Sequence, residues 1–402
     1  MNTVVVIGGG ASGMMAALTA AEDKNNKVIL LERQQRVGRK LMATGNGRCN
    51  LTNVGASAEN YHGEQADFAL PTLEKFSPEK VLEYFRGLGL VTVTEYGGRV
   101  YPLSNSANSV VDVLRFALER SGVELRAAEP ARELLKRGEG FLVRTDNGEI
   151  KADFVIVACG GAAGAKLGGV MDGYDLLKNL GHKRTALRPS LVQLVTDPTY
   201  PRALKGIRAQ AKLRYTCGGE LLAESEGELQ FIETGLSGPA AFDISRAVSV
   251  NGEGEVHIDF LGELTDEELL SIFRRRASDM PEMNSEDILT GVVHNRLGKM
   301  LVKYSAIGGG RQLRELKEND FAALLRACRD FTVAAKGVEG FDCAQVTAGG
   351  IKTTGVNPET MESWFVPHLF ICGELLDVDA DCGGFNLQWA WASGRIAGRL
   401  GK

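Results

Sequence analysis

Apolar and polar positions along this chain change period several times, and each change predicts an element. Val4 to Ile7 is a β-branched run that meets Gly8, Gly9 and Gly10 without a spacer. A small-residue helical stretch follows (Met14 to Ala21), then a second apolar run, Val28 to Leu31, ending on Glu32. The order is strand, tight turn, helix, strand, acid. Further on, Leu73, Phe76, Val81, Leu82 and Phe85 recur at helical spacing and predict a helix over Pro71 to Leu88. Val110, Val113, Leu114, Ala117 and Leu118 predict another over Ser109 to Arg120. Leu90 to Glu95, Val123 to Ala127, Phe141 to Thr145 and Lys151 to Ala158 read as strands, the last running into Cys159-Gly160-Gly161.

From Arg188 to about Gly262 the pattern is of a different kind. Leu191 to Thr196, Ile207 to Tyr215, Leu221 to Glu224, Glu228 to Ile232 and Val256 to Phe260 read as strands without long helices between them. Ala209, Ala211, Leu213 and Tyr215 alternate with period 2, as antiparallel β requires. This predicts an inserted barrel or sandwich. Thr265 to Asp279, Ser285 to Leu301 and Asp320 to Cys328 then read as helices, with Thr265 and Ser285 as N-caps. Strands return at Phe331 to Ala334, Gln345 to Val346 and Leu369 to Cys372, and a last helix runs from about Leu387 to Leu400. The fold class expected is α/β: a Rossmann-like dinucleotide-binding domain interrupted by a β-barrel and a small helical domain. The expected boundaries are 1–188 and 346–402 for the nucleotide domain, 189–262 for the β-rich substrate domain (with its return near 330–345), and 263–329 for the helical domain.

Composition narrows the setting. Hydrophobic residues are 44% and charged residues 24%, the balance of a soluble globular protein. A net charge of −5 gives no general attraction to nucleic acid or anionic membrane. No apolar run approaches the roughly 18 residues of a membrane span, and a core strand as early as Val4 leaves no room for a signal peptide. The seven cysteines are scattered without a CxxC pair, which suits reduced thiols in a cytoplasm. The five histidines show no metal spacing, and Asp377, Asp379 and Asp381 lack the glycine and terminal Glu of an EF-hand loop. No metal site is expected.

The chemistry is concentrated at the chain ends. In the first turn Gly8 permits the bend, Gly10 lets a pyrophosphate approach the backbone, and Gly13 lets the helix pack close to the sheet. The free N–H groups of Ala11, Ser12 and Gly13 and the positive end of the helix dipole face the phosphates. Glu32 follows at about the 20-residue distance of an acid that accepts from a ribose 2′-OH. Arg33, Arg39, Lys40 and Arg48 surround Gly45, Gly47 and Asn50. A solvated loop accounts for those charges but not for the interleaved glycines, which bend a backbone toward an anionic ligand. One dinucleotide fingerprint is present; Gly308-Gly309-Gly310 lacks the strand and helix that would make a second.

Taken together, KLMATGNGRCNLTN (Lys40 to Asn53), GLSGPAAFDISR within Gly227 to Arg246, Gly349-Gly350-Ile351 and GELLDVDADCGGFNLQWAWASG (Gly373 to Gly394) carry a resemblance. The chain resembles, over nearly its whole length, bacterial NAD(P)/FAD-dependent oxidoreductases of the two-dinucleotide-binding-fold type, a group that includes 3-dehydro-bile acid Δ4,6-reductase and aminoacetone oxidase. The resemblance implies FAD as resident cofactor, with NAD(P)H as a transient donor. It implies cofactor contacts at Ala131, Gly160 and Gly161, ribityl-phosphate contacts at Gly373 and Glu374, and a flavin ring lying along Gly383, Gly384, Phe385, Asn386 and Leu387. Cys382 has no assigned role.

The activity expected is NAD(P)H-driven reduction of an activated C=C in a hydrophobic, steroid- or bile-acid-like enone, through hydride transfer at flavin N5. Tyr101 and Arg99 are the candidate proton donors, although Tyr101 also suits a packing role. A same-fold alternative is an amine oxidase of the aminoacetone oxidase type using O2. An alternative of another class is a flavin-containing RNA-modifying or RNA-binding factor, against which the acidic balance and the absence of a basic tail weigh. The partner expected is a small-molecule substrate, with neither nucleic acid nor membrane; the oligomeric state is left open.

Overall fold

The computed structural model describes residues 1–402, leaving aside the side chain of residue 66. The chain divides into two compact units: residues 1–189 with 341–402, and residues 190–340.

The first unit is built on a five-stranded parallel sheet. Its spatial order is Leu369–Ile371, Phe154–Val157, Asn2–Ile7 (β1), Asn26–Glu32 (β2) and Glu124–Ala127. Val4, Val5 and Val6 are wholly buried, as expected of a parallel sheet covered on both faces. Between β1 and β2 runs the helix Ala11–Ala20 (α1), buried from Ser12 onward. Its small residues let it pack against the C-terminal helix Phe385–Gly398. Gly394 is essential there, since a Cβ on it would lie 2.4 Å from the Ser12 carbonyl oxygen.

Two expectations for this unit are corrected. The apolar run Lys151 to Ala158 is two strands, Gly148–Ala152 in an antiparallel meander and Phe154–Val157 in the parallel sheet. The chain changes partners at Asp153, whose N–H donates to the Thr3 carbonyl at 2.9 Å and whose carboxylate accepts the Thr3 N–H at 2.7 Å. Pro71 to Leu88 is likewise two helices, Leu70–Lys75 and Pro78–Gly87. Pro78 disfavours helical geometry at the residue before it, and Ser77 is extended.

The second unit is a closed six-stranded barrel. Its order is Leu194–Thr196, Gly235–Ser237, Glu220–Phe231, Arg208–Cys217, Gly254–Asp259 and Phe331–Val338, and the last strand pairs with the first. Leu213, Tyr215, Leu229, Phe231, Val256, Ile258 and Phe331 fill its core. Leu221 to Ile232, expected as two strands, is continuous over Glu220–Phe231. The expectation of no long helix among these strands is also corrected: Pro239–Asn251 is helical and packs Ala240, Ala241, Ile244 and Val248 against the barrel strands. Between Gly254–Asp259 and Phe331–Val338 lie Asp266–Asp279, Asn295–Tyr304 and Glu318–Arg329. Thr265 caps the first through a reciprocal capping box with Glu268. Ser285 starts only a single 3-10 turn. The longer helix expected there is interrupted by Gly291 at φ +81° and restarts behind His294.

Candidate functional site

The Gly-rich turn has the geometry a dinucleotide needs. A Cβ on Gly8 would lie 2.4 Å from the Ala158 carbonyl oxygen, and one on Gly13 would lie 1.8 Å from the Gly8 carbonyl oxygen. Both positions admit only glycine. At Gly10, by contrast, a Cβ would meet nothing within 4 Å, which leaves room beside the α1 N-terminus for a ligand. The first N–H groups of α1, at Ala11, Ser12 and Gly13, have no intrahelical acceptor.

Glu32 ends β2 at 9% exposure. Its carboxylate accepts the Gly9 N–H at 2.8 Å and the Gln34 N–H at 2.7 Å, so it stabilises the turn it faces. Burial raises its pKa, opposed by those backbone donors. Beside it, the Glu129 N–H donates to the Glu32 carbonyl at 2.9 Å, just before Ala131 opens the strand Ala131–Arg137. Arg33 pairs with Asp172 at 3.5 Å, and Arg39 donates to the Gln34 amide oxygen at 2.8 Å.

The cationic segment differs from the expected loop. Arg39–Gly47 (α2) begins as a helix and breaks at Thr44, after which Gly45, Asn46 and Gly47 all have positive φ. Cys49 does too, at φ +62°. Such a run turns successive N–H groups toward one side. Leu51 to Asn53 then packs on the C-terminal motif. The Asn53 amide donates to the Gly383 carbonyl at 3.0 Å, and a Cβ on Gly384 would lie 2.6 Å from the Thr52 carbonyl oxygen. The Asn50 side-chain oxygen, 2.8 Å from that same Cβ position, is buried and without a hydrogen-bond partner. An orphaned acceptor between these two motifs fits a ligand that brings a donor.

Lys40 reaches Glu374 at 2.5 Å, and the other oxygen of that carboxylate accepts the Thr347 N–H at 2.9 Å. A Cβ on Gly161 would lie 2.4 Å from Thr347 Oγ1, so Gly160 and Gly161 pass beside the same carboxylate. Gly373 donates its N–H to Ser393 Oγ at 3.0 Å and accepts from Trp389 Nε1 at 3.1 Å. Asn53, Trp389 and Ser393 lie inside the motifs Lys40 to Asn53 and Gly373 to Gly394 but have no individual role assigned from the sequence, and Thr347 lies outside every motif. Helical spacing from Phe385 is a further signal for Trp389 and Ser393.

The C-terminal helix begins at Phe385, behind Gly384 at φ +102°. Asn386 is committed to the backbone: its Nδ2 donates to Ala380 O at 2.7 Å, and its Oδ1 accepts the Ala380 N–H at 3.0 Å. Leu387 is half-buried beside it. Arg99 and Tyr101 lie on Arg99–Pro102, which pairs with Thr52–Asn53. Tyr101 is only 8% exposed, and the Arg48 guanidinium sits 4.0 Å over its ring. Arg48 is also paired with Glu95 and bonded to Asn105. Burial raises the Tyr101 hydroxyl pKa. Burial likewise pushes the thiols of Cys49, Cys159, Cys328 and Cys372 up to about 12.

Comparison with known proteins bears on the family. The chain is 40% identical to the 3-dehydro-bile acid Δ4,6-reductase of Clostridium scindens over 92% of its own length and 91% of that protein's. It is 28% identical to the ribosomal RNA dihydrouridine synthase of Escherichia coli over 89% of this chain and 88% of that one. Its fold is similar to that of 3-ketosteroid Δ1-dehydrogenase from Sterolibacterium denitrificans, with a TM-score of 0.53 at 14% identity, covering 99% of both chains. Residues 2–400 match the family described as HI0933-like protein Rossmann domain. The chain belongs to this HI0933-like family of Rossmann flavoproteins.

Proposed function

We propose that the protein is an FAD-dependent oxidoreductase that uses NAD(P)H to reduce a C=C conjugated with a carbonyl in a hydrophobic, steroid- or bile-acid-like small molecule. The observation that carries this reading is the 40% identity, across 92% of the chain, to a bile acid Δ4,6-reductase. The site's geometry supports the cofactor. Gly10 and the α1 N-terminus would hold the pyrophosphate, and Glu32 the ribose. The Gly45–Asn50 segment and the start of the C-terminal helix would hold the flavin end. When bound, FAD supplies hydride transfer at N5. The N-terminus of the C-terminal helix would stabilise negative charge on the reduced ring.

The test is anaerobic. NADH or NADPH is expected to bleach the flavin, and a 3-keto-Δ4,6 steroid to restore its colour. Bleaching by aminoacetone instead, with reoxidation only by air, would establish an oxidase.

A second reading is favoured by the dihydrouridine synthase relative. Forming dihydrouridine also saturates a C=C conjugated with a carbonyl, so the same chemistry would act on a polymer. The net charge of −5 supplies no general pull toward RNA, and the small-molecule reading is preferred. Tight, salt-sensitive RNA binding by the purified protein would reverse that preference.

A further inference from the structure

Saturating a conjugated C=C takes a hydride and a proton, and Tyr101 and Arg99 are the donors expected from the sequence. Tyr101 is buried beneath Arg48. A different titratable pair stands on the turn that opens the C-terminal helix. His62 Nε2 lies 2.7 Å from the Asp381 carboxylate, and Asp381 directly precedes Cys382-Gly383-Gly384.

The pair is held from several directions. Tyr61–His62 forms a short ladder with Asp379–Ala380. The Tyr61 hydroxyl donates to the Phe385 carbonyl at 3.2 Å. The Asn60 amide donates to the second Asp381 oxygen at 3.2 Å, and the Asp381 N–H donates to the Asn60 carbonyl at 3.0 Å. Asn386 ties the same segment to the helix through the Ala380 and Asp381 carbonyls. A half-buried imidazole fixed this firmly to a helix start has one ring nitrogen committed to a carboxylate and the other left to act.

We propose that His62, oriented by Asp381, donates the proton for reduction of the conjugated C=C. The inference rests on the reductase reading above. Asp381 keeps a proton on Nε2, so Nδ1 is the atom that exchanges one. The Nδ1–H bond of the imidazolium breaks, a C–H bond forms at the carbon α to the carbonyl, and the neutral imidazole is reprotonated by water. The two electrons arrive as hydride at the β-carbon, drawn from NAD(P)H, which leaves as NAD(P)+. His62 is the catalytic residue and Asp381 a positioning residue. Of the other charged groups nearby, Glu64 is paired with Lys352 at 2.7 Å, Asp377 accepts the Glu64 N–H at 3.1 Å, and Asp379, opposite His62 in the ladder, is a buried carboxylate.

The test compares His62→Gln and Asp381→Asn with the wild type, each loaded with FAD. Both variants are expected to keep the flavin spectrum and to bleach with NAD(P)H. Reoxidation by a 3-keto-Δ4,6 steroid should fall by about 100-fold or more in His62→Gln, the range of general acid catalysis, while reoxidation by air persists. The ¹⁵N shifts of His62, read by NMR independently of turnover, should report a proton held on Nε2 in the wild type and tautomer mixing in Asp381→Asn. Equal steroid reoxidation by His62→Gln and wild type, or an Nδ1–H tautomer in the wild type, overturns the role of His62 alone. A wild-type flavin that bleaches but reoxidises with no enone overturns the reductase reading beneath it.

Discussion

Lys40 and Glu374 are 334 residues apart, yet the ammonium and the carboxylate meet at 2.5 Å. The pair closes the two ends of the chain around the candidate cofactor cradle, because the same carboxylate also holds the Thr347 N–H. Both side chains are largely shielded from solvent, so this pair is worth more than a surface ion pair. Lys40→Met is expected to lower stability by about 1.5–3 kcal/mol, the range for a hydrogen bond to a charged group. FAD affinity should fall by about tenfold, equivalent to ~1.4 kcal/mol. Urea unfolding and flavin fluorescence titration check the two effects separately.

Glu32 supports the Gly-rich turn through the Gly9 and Gln34 amides. Glu32→Ala leaves both donors without their acceptor and removes the proposed ribose contact. Stability is expected to fall by about 1–3 kcal/mol, and the purified protein should lose FAD on gel filtration. Glu32→Gln keeps an acceptor and should lose less. Equal FAD retention by wild type and Glu32→Ala would remove the ribose assignment.

Asn386, in the segment expected along the flavin ring, secures Ala380 and Asp381 to the helix start through its side chain. Asn386→Ala should therefore destabilise the first unit by about 1–3 kcal/mol through unpaired backbone groups. Asn386→Asp, which keeps the acceptor but not the donors, should fall between the two. Thermal melts of the three proteins decide the order.

His182 accounts for an expected pH dependence. Its Nε2 is 2.9 Å from Ser363 Oγ, its Nδ1 is buried without a partner, and burial lowers its pKa from 6.5 to about 4. Above pH 6.5 the ring is neutral in both folded and unfolded chains and contributes no pH dependence. Between pH 6.5 and about 4 the unfolded chain takes up a proton that the folded chain refuses, so stability falls as pH falls. The difference in Tm between wild type and His182→Asn should accordingly shrink or reverse across that window. A difference that stays constant from pH 7 to 4 would show that His182 titrates normally in the folded protein.

Much of the architecture was legible in the chain because it is written in local rules. The strand–glycine–helix–strand–acid order at residues 4–32 follows from β-branched runs, a turn only glycine permits, and a small-residue helix. Period-2 alternation announced the barrel strands, and Thr265 with Glu268 announced a helix start. Where local rules compete, expectation and structure part. Asp153 divides one apolar run between two sheets because its partner is Thr3, far away in sequence. The helix Pro239–Asn251 carried a start signal, proline just after glycine, that its small-residue context obscured.

The sequence alone determined that the first unit has a dinucleotide-type turn at Gly8 to Gly13, with an acid at the end of the second strand, since those requirements are met by neighbours along the chain. Only the tertiary structure decided which distant residues share the cradle: Lys40 with Glu374, Asn53 with Gly383, and His62 with Asp381. Such pairs have no period and no fixed spacing. They exist because parallel strands need long crossovers, and those crossovers return remote segments to the same edge of the sheet.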